Sequence, residues 1–123
     1  MKNIEDLPKT IVCDIDGCIL RHFGNLSDII INSPEILEGV KQKFDEWDKK
    51  AYKIILLTGR RENLRKITER QLHSFGLFWD ELIMGATRGQ RILINDLKPN
   101  SDQETALAIN LKRNEGLGKC PSV

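Results

Sequence analysis

The sequence predicts an α/β protein: one Rossmann-like, three-layer domain on a mainly parallel sheet, spanning residues 1–123. Three observations carry that expectation. Four short apolar runs do not alternate with polar residues, the pattern of strands buried on both faces. Helical spacing fills the first two gaps between them, giving the order strand, helix, strand, helix, strand, strand. The chain has 123 residues, 40% hydrophobic and 30% charged, which suits a single core that needs no disulfide or metal staple.

The first strand is expected at residues 10–15 (TIVCDI). After it, residues 18–32 are too few for a second domain and long for a βα loop, so they read as a flap or hairpin over the site. Ser33 then suits an N-cap, Pro34 the first helical position and Glu35 the positive end of the helix dipole. Ile36, Leu37, Val40, Phe44 and Trp47 follow at three- and four-residue spacing, one apolar stripe. Residues 53–57 (KIILL) give the second strand. The second helix is expected at 62–75, with Leu64, Ile67, Leu72 and Phe75 on its inner face and Gly76 ending it. The third and fourth strands fall at 81–84 (ELIM) and 91–94 (RILI), and a last strand near 106–111 (ALAINL).

Several classes are excluded by composition. Lys and Arg total 19 against 18 Asp and Glu, so no whole-molecule basic field steers the protein to nucleic acid. No apolar run is long enough to span a bilayer, and MKNIEDLPKT does not read as a signal peptide. Three cysteines, Cys13, Cys18 and Cys120, make an odd set that suits a reduced, cytoplasmic setting without a disulfide framework. Cys13, Cys18 and His22 lack the second ligand pair that a zinc site needs. Phe75, Phe78 and Trp79 read as core, and the basic stretch from Arg60 to Arg70 as a largely solvated helix face.

The chemistry concentrates where strands end. Asp14-Ile15-Asp16-Gly17 follows the first, Thr58-Gly59-Arg60 the second and Asn95-Asp96 the fourth. In open parallel sheets ligands bind beyond the carboxyl ends of the strands, so the three groups can share a crevice. Any one of them alone would be explained by capping the next turn. Asp14 and Asp16, two apart, face the same way on an extended chain, and adjacent carboxylates repel unless a cation lies between them. Mg²⁺ suits two such carboxylates with Asp96 as the third. Thr58 offers a hydroxyl, and Gly59 and Arg60 offer amides at a helix start, which suits phosphate. Arg60 and Arg61 are the basic residues placed to touch the rest of a substrate.

These motifs, in this order, resemble those of the haloacid dehalogenase (HAD) superfamily of phosphatases over roughly residues 10–111. The resemblance implies Asp14 as the nucleophile, forming an aspartyl-phosphate, and Asp16 as the general acid and then base. It implies Mg²⁺ on the Asp14 carboxylate, the Asp16 carbonyl and the Asp96 side chain, and Thr58 holding a phosphoryl oxygen. Two positions depart from the family pattern. Cys18 stands where Thr is common, and no Lys occupies the stretch 84–91; Arg88 is the first choice for that cation, with Arg91 and Lys98 as rivals. Asn95 replaces an acid beside Asp96, one charge fewer for a metal.

The expected activity is therefore that of a Mg²⁺-dependent phosphomonoesterase with no separate cap domain. Its substrate is either a sugar phosphate or similar metabolite, with a homo-oligomer closing the site, or the terminal phosphate of a nucleic acid. The first motif is also loosely similar to the phosphatase part of polynucleotide kinase-phosphatases. No membrane partner is expected. The alternative is a phosphate- or nucleotide-binding module of the same fold that does not turn substrate over.

Overall fold

Three of the four apolar runs form strands. In the computed structural model, which describes residues 4–123, β1 (Thr10–Asp14), β2 (Lys53–Leu57) and β3 (Glu81–Ile83) make an open, wholly parallel sheet in the order β1-β2-β3. Cys13 lies opposite Leu56, and Leu56 opposite Leu82, so the register lines up three buried side chains across one face. The row beside it runs Val12, Ile55, Glu81, and here the expectation of burial on both faces fails: Val12 is 54% exposed and Glu81 is exposed. Among the described residues β1 and β3 are edge strands, and β2 between them has neighbours on both sides.

The helices are α1 (Leu26–Ile31), α2 (Val40–Lys49) and α3 (Arg65–Ser74). The apolar stripe of α2 buries Val40, Phe44 and Trp47 as its spacing predicts. Phe44 packs its ring 5.3 Å from Trp47 and edge-on to Phe78 at 6.0 Å, centroid to centroid. The start of that helix differs from the expectation at Ser33 and Pro34. Residues 35–37 run extended beside 19–21, with Arg21 N–H donating to Glu35 O and Leu37 N–H to Ile19 O, and the helix begins only after Gly39. Gly39 has φ 77°, and Glu38 O accepts from Leu117 and Gly118 N–H. Tertiary hydrogen bonds thus claim the backbone that the first helical turn would have used.

A 3₁₀ turn at Glu62–Leu64 precedes α3, and Gly76 (φ 73°) ends that helix as a left-handed residue should. The segment 18–32 is not a hairpin. Ile19 and Leu20 are core residues, and the remainder carries α1, whose N-cap Asn25 side chain accepts from Asp28 N–H. Phe75, Phe78 and Trp79 pack on the core, as expected.

The fourth run is the main correction. Residues 91–94 form no strand, and Ile94 is 89% exposed. Arg91 folds back so that Nη1 donates to the carbonyls of Thr87 and Gly89, turning the chain where a strand would begin. The Asn95 side-chain amide then donates to the carbonyl and hydroxyl of Thr105. Residues 106–111 likewise form no strand. Beyond them the chain returns to the sheet, and Leu117 enters the core against Glu38. Among the described residues no helix is long and apolar enough to cross a membrane.

Candidate functional site

Because all three strands are parallel, the residues that follow them gather at one end of the sheet. Asp14 closes β1 opposite Leu57, which places Asp16 beside the turn of Thr58, Gly59 and Arg60. Backbone bonds fix that turn: Thr58 N–H donates to Ile83 O, Ala86 N–H to Thr58 O, and Gly85 N–H to Arg60 O. The loops after β2 and β3 are therefore one hydrogen-bonded unit.

Beneath it lies a buried polar cluster. Arg60 is 4% exposed. Its Nε and Nη2 donate to the two carboxylate oxygens of Asp16 at 2.9 and 2.7 Å. Nη1 donates to Thr68 Oγ1 at 3.0 Å and to Gln71 Oε1 at 2.7 Å. Thr68 and Gln71 sit three apart on α3, so one helix face presents both acceptors to the guanidinium. The planar fork matches a carboxylate edge, and every buried side-chain donor and acceptor among the described residues finds a partner. Arg60 accordingly faces inward and orients Asp16, instead of lying free for substrate as the sequence suggested. Thr58 is 1% exposed, and its hydroxyl accepts from Arg60 N–H at 3.0 Å. Gly59 is exposed on the turn, with Ala86 O 3.4 Å from where a Cβ would stand.

Asp14 is the carboxylate left available. Desolvation raises its pKa most, and the neighbouring Asp16 adds to the rise. The Ile15 backbone hydrogen bond, Arg91 and His22 oppose it. Of the three cations considered from sequence, Arg88, Arg91 and Lys98, Arg91 is the one whose charge opposes the rise at Asp14, while all three are exposed. Asp96 is exposed, with its carbonyl accepting from Thr105. Among the described residues no group of three or more His, Cys, Asp or Glu could hold a metal. Asp14 and Asp16 are brought together; Asp96 does not join them. Because Asp96 stands apart from Asp14 and Asp16, the residues as arranged do not fit the three-ligand Mg²⁺ set expected from sequence.

Sequence reasoning missed the residues that brace the site. Thr68 and Gln71 were hidden in a helix read for its apolar stripe, although two polar residues on that inner face were a usable signal. Asn114 carried no local signal at all. Its N–H donates to Gly17 O at 2.8 Å, and its side-chain oxygen accepts from His22 N–H at 2.7 Å, tying the C-terminal segment to the loop after Asp16.

No known family profile matches the chain, and neither does any curated protein. Solved structures do. The chain is similar to one in the Pnkp1/Rnl/Hen1 complex at 30% identity and a TM-score of 0.57, over 70% of this chain and 31% of that one. A second match, in the Pnkp1/Rnl/Hen1 RNA repair complex, has 29% identity and a TM-score of 0.57, over 69% of this chain and 28% of that one. The protein spans about a third of the chains it matches. Its α/β architecture, with a three-stranded parallel sheet, is compatible with a Rossmann-like fold.

Proposed function

We propose that the protein is a phosphomonoesterase of the HAD type that removes a terminal phosphate from nucleic acid. One observation carries the reading: a free Asp14 stands at the end of a parallel strand, two residues from an Asp16 oriented by a buried arginine. Similarity to chains of an RNA repair complex supports a nucleic-acid end over a sugar phosphate. In the reaction, an Asp14 oxygen bonds phosphorus while the bond to the leaving oxygen breaks, and Asp16, entering the cycle protonated on a lone pair outside the Arg60 fork, supplies that oxygen's proton. Water then attacks the phosphorus of the aspartyl-phosphate, passing a proton to Asp16. Inorganic phosphate leaves and the Asp14 carboxylate returns. The Arg60 fork uses one edge of Asp16, and each carboxylate oxygen keeps a second lone pair for this traffic. Arg91 reduces the repulsion between Asp14 and an incoming phosphate dianion.

The Mg²⁺ that the sequence motifs imply does not fit the residues as arranged, since Asp96 stands apart from Asp14, and no step above depends on it. The separation of Asp96 from the two aspartates is what favours the second reading, a binding module without turnover. The deciding experiment measures phosphate release with and without Mg²⁺. Its substrates are an aryl phosphate, sugar phosphates, nucleotides and oligonucleotides phosphorylated at either end. Release that is greatest with oligonucleotides and vanishes in Asp14→Asn supports the proposal. No release from any substrate overturns it in favour of the binding module.

A further inference from the structure

The residue next to Asn114 has no role in the reading above. Arg113 is exposed, and its stem packs on Gly17, the residue after Asp16: a Cβ built on Gly17 would lie 3.3 Å from Arg113 Cγ. Its backbone is held in place, because Asn114 (φ 66°) donates to Gly17 O and clamps the His22 N–H. The side chain therefore starts from a fixed point on the rim of the aspartate loop. Its charge is also unspent. Arg21 pairs with Glu35, Arg60 with Asp16 and Arg65 with Glu62, and Arg91 donates to two carbonyls; Arg61, Arg70 and Arg88 are likewise unpaired among the described residues, and of these four it is Arg113 whose stem lies against Gly17. The adjacent acid, Glu115, lies 3.8 Å from Lys119. Among the described residues no ion pair or side-chain hydrogen bond engages the Arg113 guanidinium.

We propose that Arg113 binds the phosphodiester adjacent to the terminal phosphate and so makes the site select polynucleotide ends over mononucleotides. The proposal rests on the reading that the Asp14 and Asp16 crevice receives a phosphorylated nucleic-acid end. Its chemistry is that of a bidentate, permanently charged fork matched to phosphate oxygens. A contact made equally in the ground state and the transition state contributes uniform binding, so its loss raises KM and leaves kcat nearly unchanged.

The test compares wild type, Arg113→Gln and Arg113→Lys on a phosphorylated oligonucleotide and on the corresponding mononucleotide. For Arg113→Gln, KM for the oligonucleotide rises about tenfold, as expected for one charge-assisted contact, while kcat changes less than about twofold. The ratio of oligonucleotide to mononucleotide kcat/KM falls with it, and the salt dependence of oligonucleotide binding loses a slope of about one. Arg113→Lys recovers part of the affinity and the full salt slope. A ratio unchanged in Arg113→Gln overturns the proposal and leaves the phosphatase reading standing. If wild type releases no phosphate at all, the phosphatase reading has failed by itself. Fluorescence anisotropy with the same oligonucleotide then decides Arg113: weaker binding by Arg113→Gln upholds the contact, and equal binding overturns it. Circular dichroism of each variant separates these outcomes from misfolding.

Discussion

Replacing Arg60 with Met removes the guanidinium while keeping much of the stem volume, and four hydrogen bonds go with it: two to Asp16 and one each to Thr68 and Gln71. Removing one partner of a buried ion pair costs about 3–5 kcal/mol, because the other charge stays buried and unpaired. The Asp16 side chain is 16% exposed, so water recovers some of that loss and the lower end applies, about 3 kcal/mol. Against a total stability of roughly 5–15 kcal/mol the variant still folds. Its melting temperature falls by about 10–15 °C for a chain of this length. Arg60→Lys keeps the charge without the fork and should fall between the two. The decisive assay is urea unfolding of Arg60→Met, Asp16→Leu and the double variant. The double variant should be more stable than the sum of the singles predicts by about 2 kcal/mol, since neither partner is then stranded. A loss below about 1 kcal/mol for Arg60→Met, or additivity within about 0.5 kcal/mol, would refute the claim that this cluster holds Asp16 in place.

Three further outcomes follow from the packing and the titratable groups. Gly116→Ala should destabilise by more than about 2 kcal/mol, because its φ of 83° disfavours any Cβ and that Cβ would collide with the Glu38 backbone; thermal melting checks it, and a wild-type midpoint would contradict it. Asn114→Ala leaves the His22 N–H without its partner, so amide exchange should quicken at 22–24 while the sheet amides of β2 stay protected. Burial, with the Asp14 and Cys120 charges, pushes the Cys18 thiol up to about 11, and burial pushes Cys13 higher still. Alkylation of Cys18 should therefore be slow at neutral pH and rise about tenfold per pH unit up to pH 10, as its thiolate fraction does. Peptide mapping that finds Cys18 labelled fast and independently of pH would oppose this environment.

Where a residue's role follows from short-range pattern, it was legible. The three strands β1, β2 and β3 were marked by runs of Ile, Leu and Val, and Gly76 marked the end of α3. The buried face of α2 follows from the spacing of Val40, Phe44 and Trp47, since 3.6 residues per turn leaves little choice. The positions of Asp14 and of the Thr58 turn at the sheet's carboxyl end follow from the parallel strands alone.

Other features depended on which distant backbone arrives first at a hydrogen-bonding group. Ser33 and Pro34 carry a helix-start signal that loses because Ile19 and Arg21 take the neighbouring backbone groups. The run at 91–94 has strand composition, yet Arg91 bonds Thr87 and Gly89 and turns the chain away.

The sequence by itself determined the α/β class, the parallel sheet and the pairing of Asp14 with Asp16, because periodicity and two-residue spacing are properties of the chain's own geometry. Tertiary structure alone decided that Arg60 turns inward to hold Asp16, that Asp96 stands apart, and that Arg113 and Asn114 return to Gly17. Those outcomes pair groups far apart along the chain. Where a guanidinium ends up is set by which acceptors are already buried around it, and no local pattern records that.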